Sequence, residues 1–166
     1  MFKKLSKLGV LGMNARIGSY MLPLNSRKDY PKVDDKVLTE AHAKELGIPT
    51  PENYAVLETF GSLKKLPDVL SKHSAFVIKP ARGAMGNGII VITESREGIF
   101  TRADGRKEDI NTIRYHISFI LSGFYSINGY PDKAIVQYMI QTHRALQPIA
   151  FGGVPDVRVI VYRGFP

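Results

Sequence analysis

The chain has no cysteine among its 166 residues. That excludes a disulfide framework, a thiol nucleophile and a thiolate metal site. It fits a reducing compartment, so a cytoplasmic location is the expectation. No apolar run approaches the roughly 18 residues that a membrane span takes. Met1–Met13 is basic and then apolar, but Leu8–Met13 is short and holds two glycines, so it is no signal peptide. Lys/Arg-rich runs of the kind that mark a nucleic-acid arm are also missing. The net charge is +8, yet the basic residues are scattered, apart from Lys3, Lys4 and Lys7 and the Arg102–Lys107 segment. Tyr115, Tyr125 and Tyr130 do not alternate with basic residues on one strand. They are expected to pack in or near the core, and a nucleic-acid-binding domain ranks last among the readings. His42, His73, His116 and His143 are not spaced as metal ligands, and each reads as a surface or packing residue.

What is there is ordinary globular material, 44% hydrophobic and 23% charged, enough for one domain or two small subdomains. Its most informative stretch is Phe76–Ile92. Two apolar runs, Phe76–Ile78 and Ile89–Ile92, flank Lys79 and a loop with glycines at 83, 86 and 88. Strand, lysine, glycine loop, strand is a way to cover a polyphosphate. Small residues let backbone N–H groups approach an anion, and the lysine adds charge beside them. A Walker loop differs, because there the glycines open a helix and the lysine follows them. The plain alternative is a flexible hairpin with a strand-end lysine in solvent. The apolar run before Lys79 weighs against it, since a buried stem with its head in a cleft calls for an anionic partner.

Elsewhere the periodicity predicts a short basic helix over Phe2–Leu11, then irregular polar chain from Met13 to Tyr30. Asn14, Arg16 or Arg27 from that stretch is a candidate site residue. A helix is predicted over Val33–Leu46, capped by Asp34 or Asp35, with Val33, Val37, Leu38, Ala41 and Leu46 as its apolar stripe. Lys36 lies in its first turn, the wrong end of the dipole for a cation, which points to a neighbouring anion. Further expectations are a strand over Tyr54–Leu57, a helix over Gly61–Ser71 bent at Pro67, and a hairpin turning at Asp104-Gly105. A helix capped by Asp109 and closed by Gly123 follows, then strands over Ala134–Ile140 and Asp156–Tyr162. On the last, Asp156 and Arg158 share a face and either neutralise each other or serve a site.

Taken together, Gly12-Met-Asn-Ala-Arg16, Asp34-Asp-Lys36, Leu46-Gly-Ile-Pro-Thr-Pro51, Phe76-Val-Ile-Lys-Pro-Ala81, Gly83-Ala-Met-Gly-Asn-Gly88, Ile135-Val-Gln-Tyr138 and Gly153-Val-Pro-Asp-Val-Arg-Val159 resemble the ATP-grasp superfamily. The nearest likeness is to its α-L-glutamate ligase-like branch. The resemblance implies an α+β fold, a small lid subdomain with two helices over a mainly antiparallel sheet, and ATP held against the next subdomain. The implied division is an arm over 1–32, the lid over 33–132 and the start of the second subdomain over 133–166. It also implies that Lys36 and Lys79 hold the ATP phosphates. The glycine loop Gly83, Ala84, Met85, Gly86, Asn87 and Gly88 covers the triphosphate. Gln137, Tyr138, Met139 and Ile140 frame adenine, with His143 nearby, and Arg158 lies beside the transferred phosphate. Many members carry an acidic residue where Gln137 stands.

The implied chemistry is phosphoryl transfer to a carboxylate, giving an acylphosphate that an amine attacks. Its partners are ATP and carboxylate and amino-acid substrates. Crowded anionic oxygens need lysines, an arginine and backbone donors, and a closing lid keeps water from the acylphosphate. The family's Mg²⁺ ligands are expected beyond Pro166, supplied by further sequence or a complementing chain. Asp156 stands alone, and Glu94, Glu97, Glu108 and Asp109 read as solvated surface. The expectation is therefore weak ATP binding and no ligase turnover by these residues alone. A non-catalytic nucleotide-binding piece is the alternative.

Overall fold

The computed structural model describes residues 2–126, 129–150 and 153–166. Helix α1 (Phe2–Lys7) is shorter than its apolar spacing predicts. The stretch expected to be irregular is instead a run of helical turns. It comprises α2 (Met13–Arg16), a π-helical segment Ile17–Met21, α3 (Leu22–Leu24), a 3₁₀ turn Arg27–Asp29 and α4 (Tyr30–Asp34). Its polar side chains read as loop, but Pro23 and Pro31 sit in the first turns of α3 and α4, where a missing N–H is tolerated. None of these turns buries a residue.

The helix predicted over Val33–Leu46 is divided at Asp35. That residue has extended backbone (φ −91°, ψ 109°) and its carboxylate accepts from the Val37 N–H at 3.0 Å. A true cap must leave the helix, so α5 runs from Lys36 to Glu45 and Val33 belongs to the element before it. Val33, Leu38 and Leu46 are exposed, so the expected apolar stripe is not a core face.

Six strands follow: β1 (Asn53–Leu57), β2 (Phe76–Pro80), β3 (Ile90–Arg96), β4 (Ile99–Arg102), β5 (Lys107–Glu108) and β6 (Ala134–Gln137). A 3₁₀ turn, Phe60–Lys65, leads into α6 (Leu66–Leu70). Pro67 starts α6 rather than bending a longer helix. Asp109 caps α7 (Ile110–Leu121) through the Thr112 N–H at 2.7 Å. Gly123 then turns the chain with φ +85° where a Cβ would strike the Tyr130 carbonyl at 2.2 Å.

The sheet is antiparallel throughout, in the order β1-β6-β2-β3-β4-β5. Register assigns its two faces. Ile78 pairs with Val136 and Ile90, and Phe76 with Ile92. All of these are buried with Leu57 against Leu66, Leu70, Ile113, Ile117 and Ile120 of α6 and α7. The period-2 alternation turns Val77, Lys79, Val91, Ile135 and Gln137 to the other face. Helices and antiparallel sheet together make the fold α+β, as the sequence predicts. Strand β6, which the expected division assigns to a second subdomain, pairs with β1 on one edge and β2 on the other.

Three expectations change. Strand β6 ends at Gln137, so Tyr138–Ile140 lie outside it. Tyr115 and Tyr130 are exposed, and only Tyr125 of the three packs on the core. No strand forms over Asp156–Tyr162: this stretch has no regular structure and no bridge until Tyr162 meets Phe165, and Val157 is 91% exposed. Alternation marks two faces, but a strand also needs a partner backbone, and β6 is already paired on both edges. Among the described residues no helix is long and apolar enough to cross a membrane.

Candidate functional site

Lys36 opens α5 and Lys79 occupies β2, and the fold brings the two cations together. The Lys36 N–H donates to the Ala81 carbonyl at 3.1 Å. Its ammonium donates to the same carbonyl at 3.1 Å and to the Gly83 carbonyl at 2.8 Å. The cation expected to meet an anion is thus held by two neutral oxygens at the foot of the glycine loop. Burial, and after it the charge of Lys79, push the Lys36 pKa below the ordinary lysine value; Asp132, Asp34 and Asp35 pull the other way. The two ammonium groups are close enough for Lys79 to lower the Lys36 pKa, while Asp132, Asp34 and Asp35 offset part of that charge.

Lys79 points away from the core, and its Nζ lies 3.3 Å from Glu40 Oε1 of α5, with both side chains mostly buried. Glu40 also accepts from Gln137 Nε2 at 2.9 Å and from the amide of Asn53. Gln137 Nε2 reaches Asn53 Oδ1 at 2.7 Å. One carboxylate on α5 therefore ties β1, β2 and β6 on the face opposite α7. Along the sequence Glu40 is only a helix residue four positions before Lys44, with no mark of a site. The signal it missed is that register turns Lys79 and Gln137 to one face, where a shared carboxylate satisfies both.

Beside this pair lies a second charged knot. Asp35 is 1% exposed, and its free oxygen Oδ2 accepts no hydrogen bond. That oxygen sits 3.5 Å from Arg82 Nη2 and 3.4 Å from Lys133 Nζ. Asp132, also buried, accepts from the Arg82 N–H at 2.9 Å and the Lys133 N–H at 2.7 Å. The start of α5, the end of β2 and the approach to β6 are thereby fixed to one another at the foot of the loop.

The glycine loop is pinned at both ends. A Cβ on Gly83 would lie 2.2 Å from Pro80 Cγ, and Gly83 bridges to Ser126. Gly88, at φ +76°, leaves only 2.7 Å between a Cβ and the Tyr125 ring, and the His116 ring donates to its carbonyl, with Nε2 at 2.9 Å. His116 was read as a surface or packing histidine; it packs, and it also latches the loop. Burial first, with Arg102 adding to it, lowers its pKa, so the neutral ring is favoured. Between the pins, Met85 and Gly86 adopt φ 56° and 75°. Met85 is 93% exposed, and no described backbone acceptor receives the N–H groups of Met85 or Gly86. Free N–H groups at successive left-handed residues are the kind of donor set that takes an oxyanion.

On the same sheet face as Lys79, a cavity of about 470 Å³ lies beside Val77 and Val91. Gln137, Tyr138, Met139 and Ile140 line it together with Gln141 and Thr142. All four expected linker residues therefore share one hollow with the β2–β3 floor. His143 is exposed and is not among its lining residues. Arg158 stands elsewhere: it lines a cavity against the N-terminal arm with Arg16, and neither lysine lines that cavity. Arg27 lines a further hollow with Arg82, and Asn14 is exposed. No group of three or more His, Cys, Asp or Glu able to hold a metal occurs among the described residues.

Such a layout, a lysine pair at the foot of a pinned glycine loop on an antiparallel sheet, is met by comparison as well: residues 15–166 match a family of ATP-grasp proteins. The chain belongs to that family, described as sugar-transfer associated ATP-grasp, and so to the ATP-grasp superfamily. No curated protein and no solved structure matches the chain.

Proposed function

We propose that this chain is the ATP-binding portion of an ATP-dependent carboxylate–amine ligase that works through an acylphosphate, of the glutamate-ligase-like kind. Lys36 and Lys79 hold the phosphates, Gly83–Gly88 cover them, and Gln137–Ile140 hold the adenine. The observation that carries the reading is the depressed Lys36 beside Lys79 at the foot of a loop with unused N–H groups. A phosphate chain would add charge-assisted hydrogen bonds to both ammonium groups, in competition with Glu40 at Lys79. ATP would contribute a phosphoryl group that turns a carboxylate oxygen, a poor leaving group, into phosphate, which departs when the amine attacks the carbonyl carbon. This chain's residues bind and orient the nucleotide and shield it from water. The family description adds an association with sugar transfer, so a carboxylate on a glycan or its carrier is one acceptor class to try.

Lys79→Ala tests the reading. ATP affinity should fall at least tenfold, by titration calorimetry, while the thermal midpoint stays within a few degrees. Unchanged affinity in a folded variant would remove Lys79 from the site. A second reading, nucleotide binding without turnover, draws on the lack of a carboxylate cluster among the described residues. Mg²⁺-dependent ADP release above background by these 166 residues would exclude it.

A further inference from the structure

Basic residues are spread along this chain; acidic ones are not. Residues 1–28 hold six lysines and arginines and no aspartate or glutamate, so this stretch carries six of the eight net positive charges. Asp29 is the first acidic residue. Over residues 4–28 every residue except Ile17 is exposed. Among the described residues no ion pair involves Lys4, Lys7, Arg16, Arg27 or Lys28. A stretch charged with one sign repels itself and attracts an extended counter-charge.

The same stretch is apolar as well as basic. Leu8 is 72% exposed and Met13 69%, and Val10, Leu11, Met21 and Leu22 are exposed too. The helical turns from Met13 to Leu24 bury no residue, so these side chains are not spent on the core. Apolar side chains gathered in water at this density mark a contact surface. A second exposed run adjoins the arm. Residues 158–164 meet it across a cavity of about 820 Å³, lined by Arg16, Arg158 and Arg163 and by no acidic residue. Val157, Val159, Ile160 and Phe165, in and beside that run, are exposed. The rings of Tyr20 and Tyr162 join the two stretches, with centroids 5.9 Å apart.

We propose that the arm over residues 4–28, with residues 157–165 beside it, is a docking surface for an anionic phospholipid bilayer, on which the chain lies without crossing. The partner must offer dispersed negative charge, and it must take up separate leucine and methionine side chains without a preformed pocket. The boundary between headgroups and acyl chains of an anionic bilayer does both. Lysine and arginine stems lie along the apolar layer while their heads stay at the lipid phosphates, and tyrosine rings rest at headgroup level. A second copy of this arm fails the first requirement, since it would set six positive charges against six. A purely acidic polymer fails the second. Nothing in this proposal depends on the nucleotide reading.

The test is flotation of the whole chain with vesicles of phosphatidylcholine alone, and with vesicles holding about one third phosphatidylglycerol, at low and at high salt. Binding to the anionic vesicles should be tighter by about tenfold or more, and should fall steeply as salt rises. Equal partition onto both kinds of vesicle overturns the proposal. The chain has no tryptophan, so Leu8→Trp places a sole reporter at an exposed position. Its emission should shift to the blue on anionic vesicles and stay unshifted beside neutral ones. Bound protein with unshifted emission would mean adsorption by charge alone, and overturns the proposal as stated. The triple variant Lys4→Gln/Lys7→Gln/Arg16→Gln should lose about tenfold or more of the affinity for anionic vesicles. Unchanged affinity in the folded variant overturns the proposal; if the variant does not fold, the lipid and salt dependence of the unaltered chain decides. Polyglutamate bound as tightly as the vesicles would point to an acidic protein partner instead. Emission already blue without lipid, in a chain that sediments as a dimer, would assign the surface to a second copy. Either result overturns the bilayer as occupant.

Discussion

The Lys36 ammonium donates to the Gly83 carbonyl at 2.8 Å, so the first residue of α5 holds the first glycine of the loop directly. A helix start and a flap root are one unit, and what perturbs either is felt by both.

Burial, then Lys79, sets the Lys36 pKa of the folded chain below its ordinary value of 10.5. Between the lowered value and the ordinary one the unfolded chain binds more protons, so this group makes stability rise as pH climbs through that window. A bound polyphosphate raises the pKa again. Nucleotide added in that alkaline window should therefore take up protons, read as a buffer-dependent binding enthalpy in two buffers of different ionisation heat. Proton release would count against Lys36 as a phosphate ligand.

Glu40 is the partner that an incoming phosphate must rival for Lys79. Glu40→Gln removes the charge and keeps one acceptor oxygen, for Gln137 Nε2, while the bond from the Asn53 amide is lost. ATP affinity should rise several-fold, and stability should fall by about 1–2 kcal/mol, between the values for exposed and buried pairs. Weaker ATP binding in a folded Gln variant would reassign Glu40 to the site itself.

Asp35 combines a helix cap with a buried counter-charge. Asp35→Ser keeps the cap and should cost roughly 1 kcal/mol more than a neutral surface change, because Arg82 and Lys133 lose their shared anion. Asp35→Ala loses the cap as well and should cost about 2 kcal/mol or more. Denaturant midpoints of the two variants separate the contributions, and equal midpoints would show that the cap contributes nothing beyond the charge.

Two glycines of one loop should respond differently. Gly83→Ala forces a Cβ to within 2.2 Å of a proline ring and should cost about 1–3 kcal/mol. Gly86→Ala meets open space but keeps φ +75°, and should cost about 1–2 kcal/mol of backbone strain with the fold retained. Thermal melts of the pair, with Gly83→Ala the lower, check the order. The reverse order would mean that the root of the loop is free to shift.

Local rules carried much of the fold in advance. The runs around Lys79 give β2 and β3, Asp104-Gly105 gives the β4–β5 turn, and Asp109 and Gly123 bound α7, because each depends on residues adjacent in sequence. What depended on distant partners was not legible. Strand pairing decides whether the alternating valines after Asp156 become a strand, and no edge receives them. Polar composition hid the helical turns of Met13–Tyr30, since short surface helices have no buried stripe to announce them. At the candidate site, Lys36, Lys79 and the linker could be marked from their order along the chain. Glu40, Asp35 with Arg82, and the His116 latch could not, because each joins residues dozens of positions apart.

The anchored roots of the glycine loop limit what it can hide. A tether of four residues between two immovable ends rises by roughly 9 Å at full stretch. On the proposed placement of the nucleotide, such a curtain would screen a phosphate tail and leave the nucleobase untouched. Any choice between adenine and guanine would then fall to the walls beside Val77, Val91 and Gln137.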